Sequence, residues 1–250
     1  MRVVSLMPSW TETLLEAGVN VVGRTRFCIH PRATVQAVPA VAGTKNWDWR
    51  AIQALKPDLL ILDQEENPKF MTEQSEIPVF STHITSVQSV PGALAQLALR
   101  LNNRSLGELA QRWNQVAEWP GRPRWQVGEP IPGLISWGRE PLGAVHSILY
   151  IIWRNPWMTV SKQTFIGSML NLCGMNSYLR DFEMKYPPID LSQYSAKETL
   201  LLFSSEPYPF LRKKEVLNPI AHPYAFIDGE SFSWFGKRSL IFLENLKARV

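Results

Sequence analysis

The chain has 250 residues, of which 45% are hydrophobic and 19% are charged, and its formal net charge is +4. This balance is typical of a globular protein with one large domain or two small ones. The charge is mild, and its basic clusters (Arg212-Lys213-Lys214 and Lys237-Arg238) are typical of a solvated surface, so we expect no nucleic-acid partner. No run of about twenty apolar residues is present, which excludes a transmembrane helix.

Two cysteines, Cys28 and Cys173, lie far apart in the sequence. We expect them in different lobes as free thiols, which favours a reducing compartment. Residues 2–6 already have the pattern of a first strand, where a secretory leader would have a basic start, an apolar stretch and a cleavage site. These features predict a cytoplasmic protein, with a periplasmic location as the alternative if a leader has been removed.

The first third of the chain alternates short apolar runs with amphipathic segments. Strands are predicted at residues 3–6, 19–22, 58–62 and 77–81, and helices at 9–17 and 48–56. Such alternation predicts parallel strands joined by right-handed crossovers. We assign residues 1–85 to an N-terminal α/β lobe.

Residues 86–119 have apolar side chains at helical spacing. A single helix of this length would measure about 45 Å, more than one small lobe needs, and could connect two lobes. The alternative is two helices that break near Asn103. We predict one connecting helix over 86–119.

A stretch rich in proline and glycine follows, from Pro120 to Gly133, and marks a boundary. The α/β alternation then resumes, with strands predicted at 133–137, 199–204 and 225–227 and helices at 165–173 and 239–248. We assign residues 120–250 to a C-terminal α/β lobe. The predicted fold is α/β, with two lobes joined by a long helix and a ligand site in the cleft between them.

Several catalytic and cofactor motifs are absent. The sequence contains no P-loop, no GxGxxG after a strand, no GxSxG and no HExxH. A metal site built from His30, His83, Asp228 and Glu206 is an alternative that we hold to be weak, since isolated histidines mostly have structural or surface roles. We therefore predict no metal ligands, no cofactor and no catalytic residues.

Six segments carry a family resemblance. In order they are RVVSLMPSWTETLLEAG (2–18), VAGTKNWDWRAIQALKPDLLIL (41–62), IIWRNPWMTVSKQTFIGSMLNLCG (151–174), KYPPIDL (185–191), LLLFSSEPYPF (200–210) and FIDGESFSWFGKRS (226–239). Together they resemble the class III periplasmic binding proteins, the helical-backbone metal receptors, and most closely their vitamin B12-binding branch. The resemblance implies two Rossmann-like lobes joined by a long backbone helix.

The resemblance also implies where a ligand binds. The family's ligand-contacting aromatics match His30, Thr44, Trp157-Met158 and Tyr186, and its Asp before the Trp-Phe pair matches Ser233, which precedes Trp234. At Thr44 an aromatic is lost, and the next residue, Lys45, adds positive charge. A flat ligand could stack on Trp157, Tyr186 or Trp234, while Lys45 and Arg154 could meet its acidic groups.

Transport-coupled members of the family have a surface glutamate on each lobe that docks to the permease. The matching residues here are Arg50 and Ser192, although Asp48 and Asp190 lie close by. An ABC permease is therefore a doubtful partner, and we expect a monomer whose partner is a small ligand.

The sequence thus predicts a binding protein of the ABC-transporter substrate-binding type, not an enzyme. Its ligand is expected to be a cobalamin-like corrinoid or another metal chelate, and it need not be coupled to transport. One alternative is a binding protein for a ferric siderophore or haem. A second is an enzyme that uses Asp63, Glu65, Glu66 and Glu206, and a third is an interaction module that exposes its tryptophans.

Overall fold

The computed structural model describes residues 1–43, 48–73 and 75–249. These residues divide into two compact units. Unit 1 comprises Met1–Glu118 and Trp234–Leu240, and unit 2 comprises Trp119–Ser233 and Ile241–Val250, the last residue lying outside the described range. No described helix is long and apolar enough to cross a membrane.

Unit 1 contains a five-stranded sheet in the order β3-β2-β1-β4-β5, in which all four pairs of neighbouring strands are parallel. Buried side chains on its strands and helices form an apolar cluster, which includes Val4, Ile52 and Leu60. The continuous apolar run of the fourth strand is buried throughout, as strands covered on both faces require. The strands are β1 (Val3–Ser5), β2 (Val21–Thr25), β3 (Ala40–Ala42), β4 (Leu59–Asp63) and β5 (Val79–Thr82).

The helices of unit 1 follow its strands in the usual alternation. Asp48 caps the third helix, as the sequence predicted, because its carboxylate accepts hydrogen bonds from the amides of Arg50 and Ala51. A short 3₁₀ turn, Val87–Ser89, precedes the fifth. The helices are α1 (Pro8–Glu16), α2 (Arg32–Val35), α3 (Trp49–Ala54), α4 (Phe70–Glu73), α5 (Val90–Leu101) and α6 (Arg104–Ala117).

The single helix predicted over 86–119 is corrected by the structure, which forms two helices there, α5 and α6. Asn102 ends α5 in the left-handed conformation (φ 47°, ψ 51°), and Asn103 caps α6 by accepting a hydrogen bond from the Leu106 amide. A Cβ built on Gly107 would lie 4.0 Å from the Cβ of Ala98, so the two helices pack side by side. Consecutive asparagines favour this break because one tolerates the left-handed conformation and the other is a good cap.

The predicted C-terminal lobe, 120–250, also needs correction, because Trp234–Leu240 belongs to unit 1. Three contacts hold this segment there. The Trp113 indole donates to the carbonyl of Gly236 (2.9 Å), Phe235 packs edge-on against Trp10, and Arg238 pairs with Glu12. All are long-range contacts, which sequence periodicity does not encode.

Unit 2 contains a six-stranded mixed sheet in the order β6-β11-β10-β7-β8-β9. The central strands β7, β10 and β11 are parallel, whereas β6, β8 and β9 pair antiparallel to their neighbours. The sequence predicted β6, β10 and β11 but missed β7, β8 and β9. The strands are β6 (Leu134–Arg139), β7 (Ser147–Trp153), β8 (Trp157–Thr159), β9 (Pro188–Ile189), β10 (Thr199–Ser204) and β11 (Tyr224–Ile227).

One face of this sheet carries an aromatic core around Phe203, Phe210 and Phe226. Thr164 caps α7 by accepting a hydrogen bond from the Gly167 amide (2.9 Å). Three 3₁₀ turns (Asn176–Tyr178, Leu191–Gln193 and Lys214–Leu217) lie in the loops. The remaining helices of the chain are α7 (Phe165–Leu172), α8 (Gly229–Ser233) and α9 (Lys237–Lys247), the last of which begins in the segment assigned to unit 1.

Candidate functional site

The loop that follows β2 carries His30 and is held in place by the buried thiol of Cys28. The Cys28 sulfur lies 3.2 Å from the hydroxyl oxygens of both Thr11 and Thr25, and the Phe27 amide donates to the Thr25 hydroxyl. Burial raises the pKa of the Cys28 thiol, so this group is structural and unreactive at neutral pH. The anchored loop leaves His30 half-buried at the carboxyl edge of the unit 1 sheet.

His30 and Trp234, both predicted as ligand-binding residues, are brought together in unit 1. Their ring centroids are 5.3 Å apart in an edge-to-face arrangement, and the Arg238 guanidinium lies 5.5 Å from the centre of the Trp234 ring. Arg238 also donates through Nε to Glu12 (3.0 Å), and the Glu12 side chain is only 8% exposed. Trp234 itself is 6% exposed, so its position is fixed by packing on several sides.

Thr44 and Lys45 lie outside the described residues. Their predicted role in ligand binding, including the positive charge of Lys45, stays a prediction.

In unit 2, Arg154 and Trp157 are brought together at the turn between β7 and β8. The Arg154 guanidinium lies 5.5 Å from the centre of the Trp157 ring, which is a cation–π contact. Trp157 is nearly parallel to Phe210 (6.1 Å between centroids, 17° between planes) and also packs on Phe203. Part of the indole is therefore committed to the core of unit 2, and the remainder faces the solvent side of the hairpin.

Met158 and Tyr186 are both half-buried near this hairpin. Met158 is the cross-strand partner of Trp153, and paired residues point to the same face of a sheet. Tyr186 precedes β9, which pairs with β8. The structure thus places Trp157, Met158 and Tyr186 on neighbouring parts of one antiparallel extension.

Ser233, at the end of α8, is already engaged in hydrogen bonds. Its hydroxyl contacts the Glu206 carboxylate and lies 2.9 Å from the carbonyl oxygen of Gly229. Where the family resemblance implies an aspartate that contacts ligand, this chain has a neutral hydroxyl tied to a glutamate. The negative charge beside Ser233 therefore belongs to the Glu206 carboxylate that its hydroxyl contacts.

Sequence reasoning missed four candidate side chains: Phe27 and Ile29 in unit 1, and Tyr208 and Lys213 in unit 2. Phe27 and Ile29 flank the anchored Cys28 and remain 46% and 49% exposed. In unit 2, Tyr208 packs against Trp153 (5.6 Å) and carries the ammonium of Lys213 near its ring (5.5 Å). Single exposed apolar residues give no sequence signal. The two prolines of EPYPF do mark a loop, and loops often carry binding residues.

The carboxylates considered for catalysis are mostly tied into hydrogen bonds. Asp63 is fully buried and accepts from the Thr82 hydroxyl (2.6 Å), the Glu65 amide and the Ile84 amide. Burial raises the pKa of Asp63, and these donors only partly offset that effect. Glu65 pairs with His83 (2.8 Å), so it is not available as a base without disrupting that pair.

Nothing in the described ranges assembles a metal site. No group of three or more His, Cys, Asp or Glu side chains there could hold an ion, which includes His30, His83, Asp228 and Glu206.

The two positions that match the docking glutamates are both exposed. Arg50 lies in the first turn of α3, and Ser192 lies in the 3₁₀ turn Leu191–Gln193. The acids beside them act as caps, since Asp48 accepts from the Arg50 amide and Asp190 from the Ser192 amide. The latter bond lowers the pKa of Asp190.

Known proteins match this chain in both sequence and fold. A family model described as periplasmic binding protein matches residues 3–117. The vitamin B12-binding protein of Pectobacterium carotovorum subsp. carotovorum (strain PC1) is 22% identical over 258 residues, covering 100% of this chain and 88% of that protein. That of Pectobacterium atrosepticum is 24% identical over 202 residues, covering 77% and 67%.

Solved structures of known proteins match the fold of almost the whole chain. The periplasmic vitamin B12 binding protein BtuF of Vibrio cholerae has a TM-score of 0.68 at 17% identity, covering 99% of this chain and 95% of that one. This chain is similar in sequence and fold to periplasmic binding proteins. The periplasmic heme-binding protein BhuT, solved with two hemes, has a TM-score of 0.71 at 18% identity, covering 99% and 97%. The likeness to these structures concerns the fold, and the relatives are named as binding proteins, not enzymes.

Proposed function

We propose that this chain binds a cobalamin-type corrinoid or another flat metal chelate and performs no catalysis. The observation that carries the proposal is the aromatic and cationic surface of unit 2, where Arg154 lies over Trp157 and Lys213 lies over Tyr208. Flat ligands bind well to such surfaces because rings offer a large contact area at little entropic cost. The vitamin B12-binding relatives support the corrinoid as the first candidate.

A haem or ferric siderophore is the second candidate. Within the described ranges, neither Arg154 nor Lys213 has a carboxylate at ion-pairing distance, so both charges are available to an acidic ligand. A corrin ring carries amides in place of most carboxylates, whereas haem and many siderophores carry acidic groups. The heme-binding structural relative supports this candidate.

Tryptophan fluorescence distinguishes the candidates. We expect saturable quenching by cyanocobalamin at micromolar concentrations, with weaker or no quenching by haemin. Trp157→Ala should weaken binding about three- to tenfold, as expected for loss of one aromatic contact. Trp49→Phe, in α3 of unit 1, is the matched control and should leave the affinity unchanged.

Quenching by haemin and not by cyanocobalamin would support a haem or ferric siderophore as the ligand in place of a corrinoid. Failure of both probes, together with no co-purified ligand in native mass spectrometry, would contradict the proposed function. The same mass spectra test the proposed monomeric state.

Coupling to a permease is proposed to differ from that of transport subunits. Arg50 reverses the expected charge and Ser192 removes it, so we expect no binding to a permease that recognises acidic residues at both positions. The double variant Arg50→Glu, Ser192→Glu should gain such binding if the surfaces otherwise match. Equal binding by the wild type would contradict this proposal.

The buried free thiols of Cys28 and Cys173 support the cytoplasmic location over the periplasmic one. Fractionation of cells that produce the protein from its own gene tests this, and recovery in the periplasmic fraction would contradict it.

A further inference from the structure

The first turn of α1 has unsatisfied hydrogen-bond donors. Its N-cap residue, Met7, makes no side-chain capping bond, and the first turn contains no acidic residue. Pro8 occupies the first helical position and has no amide proton. The amides of Ser9 and Trp10 have no acceptor within the described ranges, and Thr11 is the first residue whose amide is bonded, to the Met7 carbonyl. The positive end of the α1 dipole is therefore uncompensated locally.

Ser9 adds a second, independent observation. Its residue is 2% exposed, and its hydroxyl is the buried side-chain oxygen that has no hydrogen-bond partner in the part of the chain described. Each Cα–Cβ bond of a helix tilts toward the helix N-terminus, so the Ser9 side chain leaves the backbone in the direction of the end that carries the two amides. A buried hydroxyl without a partner is unfavourable, and such groups commonly mark a site for a missing ligand or water.

The sheet topology places this turn where ligands bind in α/β proteins. In the order β3-β2-β1-β4-β5, the sheet continues from β1 in one direction through β2 and in the other through β4. Open parallel sheets bind ligands outside the carboxyl ends of the strands at such a point of reversal. The chain passes from the carboxyl end of β1 directly into α1, so the first turn of α1 lies at that crevice of unit 1.

The acidic groups of this region are already compensated. Glu12, one turn further along α1, forms a bidentate pair with Arg238. Asp63, at the end of β4, accepts three hydrogen bonds and is buried from solvent. Neither carboxylate therefore presents an unpaired charge that would oppose an anion.

From these observations we infer that the first turn of α1 binds an anionic group of the ligand, a phosphate or a carboxylate, through the Ser9 hydroxyl and the amides of Ser9 and Trp10. Helix N-termini bind such groups because the orphan amides and the dipole act together. The inference deepens the proposed function and rests on it only for the identity of the whole ligand. If this site binds part of the ligand, the ligand must be a chelate that carries at least one acidic group.

Inorganic phosphate tests the site without assuming a ligand. We expect ¹H–¹⁵N spectra of the isotope-labelled full chain to show saturable shifts of the Ser9 and Trp10 amides when phosphate replaces chloride at constant ionic strength. Ser9→Ala should weaken phosphate binding about ten- to a hundredfold, since it removes one hydrogen bond to a charged group. Ser9→Asp should abolish binding, because a fixed carboxylate would occupy the same helix end.

Thr164→Ala, which alters the start of α7 in unit 2, is the control and should leave the phosphate shifts unchanged. Identical shifts in the wild type, Ser9→Ala and Ser9→Asp would overturn the inference, as would shifts that are uniform over the chain. If Ser9→Asp does not fold, the Ser9→Ala comparison decides the matter alone. A crystal grown with phosphate that holds only a water at Ser9 would also overturn it.

Two ligand pairs identify the source of the anion. Cobalamin carries a phosphate that cobinamide lacks, and haemin carries carboxylates that its dimethyl ester lacks. Ser9→Ala should reduce the affinity for the charged member of the relevant pair and leave that of its neutral counterpart unchanged. If phosphate binds but none of these chelates does, the proposed function fails and the anion site stands. If a chelate binds and Ser9→Ala has no effect on its affinity, the proposed function stands and the anion site fails.

Discussion

The two units carry their candidate ligand-binding residues in different ways. In unit 1 an all-parallel sheet ends in polar groups at its carboxyl edge, with His30, the start of α1 and the Glu12–Arg238 pair. In unit 2 an antiparallel extension of the sheet, β8 and β9, carries Trp157 with the Arg154 guanidinium over its ring. Under the proposed function, the polar groups of unit 1 offer hydrogen bonds to a ligand, whereas the aromatic side chains of unit 2 offer contact area.

The largest expected effect concerns the aromatic core of unit 2. Phe210 is fully buried and touches the rings of Phe203, Trp157 and Tyr208. Phe210→Ala should lower the free energy of unfolding by about 4 kcal/mol, because it removes a large buried ring and leaves a cavity. Urea denaturation measures the loss, and hydrogen exchange should locate it in unit 2.

Trp153→Ala is the comparison for this prediction, since Trp153 is 42% exposed. It should cost much less stability. Equal losses from both variants would mean that the aromatic cluster does not stabilise unit 2 through burial.

The next effect tests the ion pair of unit 1. Glu12→Gln removes a nearly buried charge and leaves Arg238 without its partner, so we expect a loss of about 2 kcal/mol, which allows for the 26% exposure of Arg238. Glu16→Gln is the matched control on the same helix, since its pair with Lys237 is more exposed, and it should cost no more than about 0.5 kcal/mol. Losses of equal size in urea denaturation would contradict a special role for the buried pair.

Helix caps should have smaller effects that are similar in the two units. Asp48→Ala in unit 1 and Thr164→Ala in unit 2 each remove a side-chain acceptor from a helix start. Each should lower the free energy of unfolding by about 1 kcal/mol. A much larger loss of stability in Thr164→Ala than in Asp48→Ala would contradict this, because it would mean that burial of the Thr164 side chain contributes more to stability than its capping bond.

The smallest expected effect is on the pH dependence of stability, and it arises from Asp63 in unit 1. The pKa of Asp63 is raised in the folded state by burial, so the fold favours the protonated form. Stability should therefore fall as the pH rises from the unfolded pKa, about 4, through the raised folded value, and this fall should be absent in Asp63→Asn. Urea denaturation at a series of pH values measures the difference between the two proteins, and parallel curves would contradict the assignment.

The sequence alone predicted much of the fold because periodicity and capping signals act locally. The apolar run of β4, the Asp48 cap and the exact extent of β10 followed from residue patterns. Strands β8 and β9 were missed because they are very short and lie beside prolines. Strand β7 has a continuous apolar run, SILYIIW, which is a strand signal that sequence reasoning missed. The break between α5 and α6 is not evident from the sequence, because the apolar stripe continues on both sides of Asn102.

For the candidate site, the sequence determined which residue types are present, and the family resemblance named positions such as His30, Trp157 and Trp234. Only the tertiary structure decided which of them meet. It placed Trp234 against His30, tied Ser233 to Glu206, and left the Ser9 hydroxyl buried without a partner. The physical reason is that such contacts join residues far apart in the chain, so they depend on the packing of the sheet and its helices and leave no trace in local sequence patterns.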